Sequence, residues 1–267
     1  MDIKLIKLKM SIMSLINMIN LFINLLIYLL LILYMIKNKE IYLIRHGETD
    51  YNLSNMSQGA EFNSKLNKNG INQAKLTGKY LKNFRMKDKL FDLIISSPLN
   101  RAYNTANIIA DEINFNNNVI KLDCLNEAKL GKISGKDKYE NFYKKYIEMK
   151  NNIIKKIKDP IKFFNYDIDK YLKKNLDDKI ETNKELKTRI NEIIKYINEC
   201  KYEKIIIVSH SKLLSYFINK IFNINYSPEY KLIDKGNCWI SYITYKNGKY
   251  KMKSPINNLH LEIKYEN

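Results

Sequence analysis

Four short runs dominated by apolar residues constrain this chain most: 40–44, 91–96 (Phe91-Asp92-Leu93-Ile94-Ile95-Ser96), 119–123 and 204–208 (Lys204-Ile205-Ile206-Ile207-Val208). Each is too short for a stable helix, and each is continuously apolar where a half-solvated strand would alternate. Strands that read this way are covered on both faces. The segments between them are longer and carry apolar residues at helical spacing. One predicted helix covers about 68–83, with Asn67 as its cap and Ile71, Ala74 and Leu81 facing inward. A second follows Pro98 with Ala102, Ala106, Ile109 and Ile113, and a third spans 185–199 with Leu186, Ile190, Ile193, Ile194 and Ile197. The pattern predicts an α/β fold: a mainly parallel central sheet with helices on both faces. Near the C-terminus, Asn247-Gly248 between the strand-like runs 239–243 and 250–252 signals a hairpin.

Residues 10–36 form a different kind of segment, apolar except for Ser11, Ser14, Asn17, Asn20 and Asn24. As a helix, the run would reach about 40 Å, more than the ~30 Å hydrocarbon core of a bilayer. Lys4, Lys7 and Lys9 precede it, and Lys37 and Lys39 follow. No small-residue cleavage site follows the run, and Ile41 already opens a strand, which favours an uncleaved anchor over a signal peptide. Residues 1–38 are therefore expected to be an N-terminal transmembrane or signal-anchor segment, a single pass that makes the protein membrane-bound. Residues 39–267 are expected to form one domain. From about 136 to 184 the chain becomes densely charged, with amphipathic fragments around Tyr139, Phe142, Tyr143, Tyr146 and Ile147, and reads as a helical insertion.

The net charge of +18 does not by itself name a partner. Lys is distributed along the whole chain and Tyr is equally diffuse, without the basic cluster and interleaved aromatics of a nucleic-acid face, so no nucleic-acid partner is expected. Cys124, Cys200 and Cys238 are too few and too scattered for a disulfide framework or a metal site. No metal and no cofactor are expected. Arginine is more informative because it is rare: Arg45, Arg85, Arg101 and Arg189 stand in a chain that otherwise uses Lys. An Arg in such a chain marks a place that needs a planar fork and not a point charge.

Two of those four arginines lie beside chemistry-bearing residues. Ile41-Tyr42-Leu43-Ile44-Arg45-His46-Gly47-Glu48-Thr49 delivers an Arg-His pair from a strand onto a glycine turn. Such an arrangement suits a phosphoryl group, which carries nearly two negative charges and needs positioning and charge stabilisation. A neutral imidazole held through one nitrogen attacks phosphorus through the other, while Arg45 and Arg101 each present a bidentate fork to the oxygens. At compatible spacings follow Asn52, then Ser97-Pro98-Leu99-Asn100-Arg101-Ala102, then Glu127, then Val208-Ser209-His210.

From residue 40 to 262 this ensemble resembles the histidine phosphatase superfamily, also called phosphoglycerate mutase-like. The resemblance implies that His46 is the nucleophile, Glu127 the general acid and His210 the second histidine that stabilises the transition state. Arg45 and Arg101 would bind phosphate, with Asn52 and Thr49 as neutral donors. The family's usual glycine after the second histidine is Ser211 here; its hydroxyl narrows the pocket and could contact substrate. His260 echoes a family segment and is expected to be structural. The insertion at about 136–184 corresponds to the place where relatives carry a cap over the active site.

The resemblance implies an enzyme that hydrolyses phosphomonoesters through a phosphohistidine on His46, its substrate a phosphorylated small molecule or a phosphoprotein; the apolar run 10–36, outside the resemblance, adds an expected membrane contact. Arg-His-Gly-Glu-Thr points to the mutase-like branch of the superfamily. Lys129-Leu130-Gly131-Lys132-Ile133-Ser134-Gly135 departs from the run found in cofactor-dependent phosphoglycerate mutases, so a phosphatase is favoured over a mutase. A third reading is a domain that binds a phospho-ligand without turning it over. The presence of Glu127 argues against it, because a binder has no need of a proton donor.

Overall fold

The computed structural model describes residues 3–35, 38–84, 91–136, 176–223 and 236–262, with 144, 148, 151, 152, 155, 170, 173 and 174 besides. The described elements run α1 (Ile3–Met35), β1 (Asn38–Arg45), α2 (Asp50–Leu53), α3 (Lys68–Phe84), β2 (Leu93–Ser96), α4 (Asn100–Glu112), β3 (Ile120–Lys121), α5 (Asn183–Glu199), β4 (Lys204–Ser209), α6 (Ser211–Phe222), β5 (Ile240–Lys246) and β6 (Lys249–Asn257).

The six strands form one sheet in the order β3-β2-β4-β1-β5-β6. β3, β2, β4 and β1 are parallel, whereas β5 runs antiparallel to β1 and β6 antiparallel to β5. The sheet is thus mixed, and the expectation of a mainly parallel one is corrected. The reason is the C-terminal hairpin: Asn247 and Gly248 both adopt positive φ (50° and 78°) in the two-residue turn, which folds β6 straight back on β5.

Both faces of the central strands are covered, which explains why their sequences do not alternate. On one face Leu43, Leu93, Ile95, Ile205 and Ile207 pack with Leu186, Ile190 and Ile193 of α5 and Leu213, Leu214 and Phe217 of α6. On the other, Tyr42, Ile44, Ile94, Ile206 and Val208 pack with Leu81 of α3 and Ala102, Ala106 and Ile109 of α4. Burying each such side chain stabilises the fold by about 1.5–3 kcal/mol. Asn67 caps α3 as expected, its side-chain oxygen accepting from Gly70 N–H at 2.8 Å. Ile71 does not face inward: it is 39% exposed. β3 is shorter than the run 119–123 suggested, because it is an edge strand whose two residues are exposed.

The N-terminal run folds as α1, and its described side chains from Ile12 to Tyr28 are exposed. Among the described residues no helix is long and apolar enough to cross a membrane. The span expected over 10–36 therefore has no support from them. Most of the expected cap insertion, 136–184, lies outside the described residues.

This topology has a switch point. From β1 the chain leaves toward α3 on one face, and from the neighbouring β4 it enters α6 on the opposite face. A crevice opens at the carboxyl ends of two such strands, where open α/β sheets bind ligands. His46 follows β1 at that point and His210 follows β4.

Candidate active site

His46 is held rigidly. Its backbone N–H donates to Ser209 O at 3.0 Å, which extends the β1–β4 ladder by one residue. Its Nδ1 lies 2.7 Å from Gly47 O. A carbonyl only accepts, so Nδ1 carries the hydrogen and Nε2 keeps its lone pair. Burial, then the Arg101 and Arg45 guanidinium groups, hold the imidazole well below its ordinary value of 6.5, against the smaller opposing pull of the Gly47 carbonyl. His46 is therefore a neutral imidazole with one nitrogen ready to attack.

Gly47 N–H donates to Thr105 Oγ1 at 2.9 Å, and that hydroxyl donates to Arg101 O at 2.6 Å, so α4 fixes the turn after the histidine. A Cβ on Gly47 would stand 2.5 Å from Gly70 O of α3. The glycine is needed for that close approach.

His210 is fully buried, its ring centroid 5.2 Å from that of His46. Its Nε2 lies 2.9 Å from Ser97 Oγ at the end of β2. The Ser97 hydroxyl donates to Asn126 Oδ1 at 2.9 Å and accepts from Leu99 N–H at 3.2 Å. Its one hydrogen is thereby committed, so His210 Nε2–H is the donor to Ser97. The remaining nitrogen, Nδ1, is buried with no hydrogen-bond partner among the described residues. Burial, then Arg101, His46, Arg45 and Arg189, lower this imidazole well below 6.5 as well. A bound anion would oppose those influences and favour the doubly protonated ring, which then has an N–H to donate.

Arg101 is also fully buried. It donates from Nη1 to Phe62 O at 2.6 Å and from Nη2 to Gly59 O at 3.3 Å, while its Nε is buried without a partner among the described residues. Burial lowers it to about 10, opposed by Glu127 and reinforced by Arg45. It remains charged at neutral pH and retains N–H groups for an anion. Arg45 donates to Gly236 O at 2.9 Å and acts electrostatically on both histidines and on Arg101.

The Glu127 carboxylate sits over the amino end of α6. It accepts from Ala128 N–H at 2.9 Å, Leu213 N–H at 3.3 Å and Lys212 N–H at 3.4 Å. The last two are orphan donors of the helix's first turn, where a negative charge is stabilised. Ser211 opens α6 directly after its N-cap, His210.

Thr49 and Asn52, expected as neutral donors to phosphate, are also tied to each other. Thr49 is the N-cap of α2 and forms a capping box with Asn52. Its hydroxyl donates to Asn52 Oδ1 at 3.0 Å and accepts from Gln58 Nε2 at 2.8 Å, which leaves no hydrogen for a phosphate oxygen. Asn52 Oδ1 also accepts from Asn237 Nδ2 at 3.1 Å. Both residues brace the turn after His46. Reading the sequence did not single out Asn126, Asn237 or Gln58, since Asn is everywhere in this chain. Ser97 was visible as part of its motif, but no role was assigned to it. His260 is buried, and its Nε2 lies 2.9 Å from the Thr77 hydroxyl on α3.

Residues 41–258 match the histidine phosphatase superfamily (branch 1). The chain belongs to that superfamily. Over 220 residues it is 28% identical to the uncharacterized phosphatase PhoE of Bacillus subtilis, covering 82% of this chain and 95% of the relative. It is 38% identical over 94 residues to a 2,3-bisphosphoglycerate-dependent phosphoglycerate mutase of Thermoplasma acidophilum, a match that covers 35% of this chain and 44% of the relative. The crystal structure of phosphoglycerate mutase from Bacillus anthracis aligns with a TM-score of 0.65 at 19% identity, covering 85% of this chain and 96% of that one. That likeness shows a shared fold. Within the superfamily, members include both phosphatases and mutases by name, and an enzyme of this phosphatase or mutase type is supported.

Proposed function

We propose that the protein hydrolyses phosphomonoesters through a phosphohistidine formed on His46. The observation that carries the reading is the Nε2 of a neutral, buried His46, unbonded among the described residues, 5.2 Å ring to ring from His210 and within the field of two guanidinium groups. In the first step Nε2 forms a bond to phosphorus as the ester oxygen leaves, and Glu127, once protonated, gives that oxygen its proton. In the second, Glu127 takes a proton from water while the hydroxide attacks phosphorus, and His46 leaves as the neutral ring. Arg45, Arg101 and the protonated His210 offset the charge on the equatorial oxygens. Ser211 would border the substrate beside His210.

A phosphatase is preferred to a mutase because similarity to a phosphatase runs along 95% of that relative, whereas similarity to the Thermoplasma acidophilum mutase covers 44% of it. The higher local identity to the mutase, 38%, favours the second reading, a phosphoglycerate mutase-type phosphotransferase. Phosphate release from a panel of phosphorylated metabolites and phosphopeptides, beside interconversion of 3- and 2-phosphoglycerate, separates them. Release that persists in His46→Ala, or no turnover of any ester, would overturn the enzyme reading and leave a phospho-ligand binder.

A membrane attachment through residues 10–36 is proposed beside it, resting on their apolar sequence alone. The full chain should then stay with membranes after alkaline carbonate extraction. Extraction into the supernatant would contradict it.

A further inference from the structure

We propose that Arg189 and Glu181 form a clamp that fixes Glu127 as the proton donor, making them positioning residues for the leaving-group step. The proposal rests on the phosphatase reading above. Its starting point is the rarity of arginine: Arg189 lies outside the two motif arginines, on α5, two turns beyond Glu181. It uses every N–H it has. Nε donates to Glu181 Oε1 at 2.6 Å and Nη2 to Glu181 Oε2 at 2.6 Å, a bidentate pair. Nη1 donates to Cys124 O at 3.0 Å and Asn126 O at 2.7 Å, and Nη2 also reaches Glu127 O at 3.4 Å. Five donors in one plane are thereby matched to five contacts, which a lysine ammonium with three donors cannot reproduce.

Glu181 completes the grip from the other side. It is 7% exposed as a side chain; its Oε2 accepts from Lys129 N–H at 3.2 Å, and its backbone N–H donates to Lys129 O at 3.0 Å. The segment 124–129 is thus held at 124, 126, 127 and 129, on both sides of the Glu127 side chain. What Glu127 itself has are three contacts to backbone N–H groups, two of them longer than 3.2 Å. Those contacts orient a carboxylate but loosen when it takes up a proton, since a protonated oxygen is a poorer acceptor. The clamp holds through backbone carbonyls, so it keeps its hold when Glu127 changes protonation state. Ser97, which orients His210, directly follows β2 and is held by Leu99 N–H as well as by Asn126 Oδ1, so one of its two ties lies outside the clamped segment. Loosening the clamp should therefore affect the acid more than the phosphate site.

The test uses the full chain with R189K and E181Q, and two substrates. p-Nitrophenyl phosphate has a leaving group that departs without a proton; β-glycerol phosphate releases an alkoxide that requires one. In kcat/KM, which reports phosphoryl transfer to His46 and not the later hydrolysis that also uses Glu127, R189K should lose about 100-fold on the alkyl ester and less than about threefold on the aryl ester. Inhibition by inorganic phosphate should be unchanged, and R189K should add nothing further on an E127Q background. E181Q should follow the same pattern more weakly. Equal losses on both esters, additivity with E127Q, wild-type rates, or failure of both variants to fold would each overturn the clamp as a positioning device. Failure of the phosphatase reading is distinct: the wild type would then release no phosphate from either ester, or H46A would release as much, and the clamp proposal would fall with it.

Discussion

At the scale of single residues, the histidines and arginines make the strongest statements. His46 is required neutral, and burial together with Arg101 and Arg45 depresses its protonation below 6.5. The nucleophile therefore stays competent on the acid side of its ordinary value. The acid limb of a kcat/KM profile, which reports the free enzyme, should fall below pH 6.5; a limb at or above that value would contradict the account. Arg101 is held in its plane by two carbonyls, and R101K should lower kcat/KM about 100-fold while leaving the fold intact, because an ammonium cannot reproduce the fork. Steady-state kinetics with a circular dichroism control check this. The arginines were legible in the sequence because the chain uses so few. The capping role of Thr49 is not legible in the sequence, because a hydroxyl beside the site and a hydroxyl capping a four-residue helix look the same there. Ser97 and Asn126 form a relay that only tertiary contact creates.

At the scale of elements, the sequence predicted best where a local rule governs. The central strands declared themselves by continuous apolarity, and the Asn-Gly turn by its need for two positive φ values. β5 and β6 turned the parallel sheet into a mixed one, since hairpin chemistry shows that two strands pair and not which edge they join. Spacing predicts Ile71 inward, yet the buried face of α3 runs through Gly70, Ala74, Thr77 and Leu81, and Ile71 lies at its edge. Two predictions belong here. Gly70→Ala would drive a Cβ into the Glu48 backbone beside the catalytic turn. It should cost about 2–4 kcal/mol in urea unfolding and reduce activity with it. Thr182 caps α5 in a capping box with Glu185, so Thr182→Ala should cost about 1 kcal/mol with activity retained.

At the scale of the whole molecule, all three histidines are depressed below 6.5, His260 to about 4 by burial. Below pH 6.5 the unfolded chain takes up protons that the folded one does not. The sign follows: the stabilisation is complete above the unfolded value of 6.5 and is lost as pH falls toward the folded values. The melting temperature should decline from pH 6.5 to about 5, before carboxylate titration begins, and His260→Gln should reduce the slope by up to about one proton. A flat profile across that range would contradict the burial of neutral rings.

The most direct measurement is to mix the enzyme with an excess of phosphomonoester, quench in alkali, where phosphohistidine survives, and map the phosphoryl group by tandem mass spectrometry. The account predicts a phosphohistidine at position 46 that forms within one turnover, decays with product formation and is absent from His46→Ala. Turnover with no phosphorylated histidine, or with the label on another side chain, would contradict it.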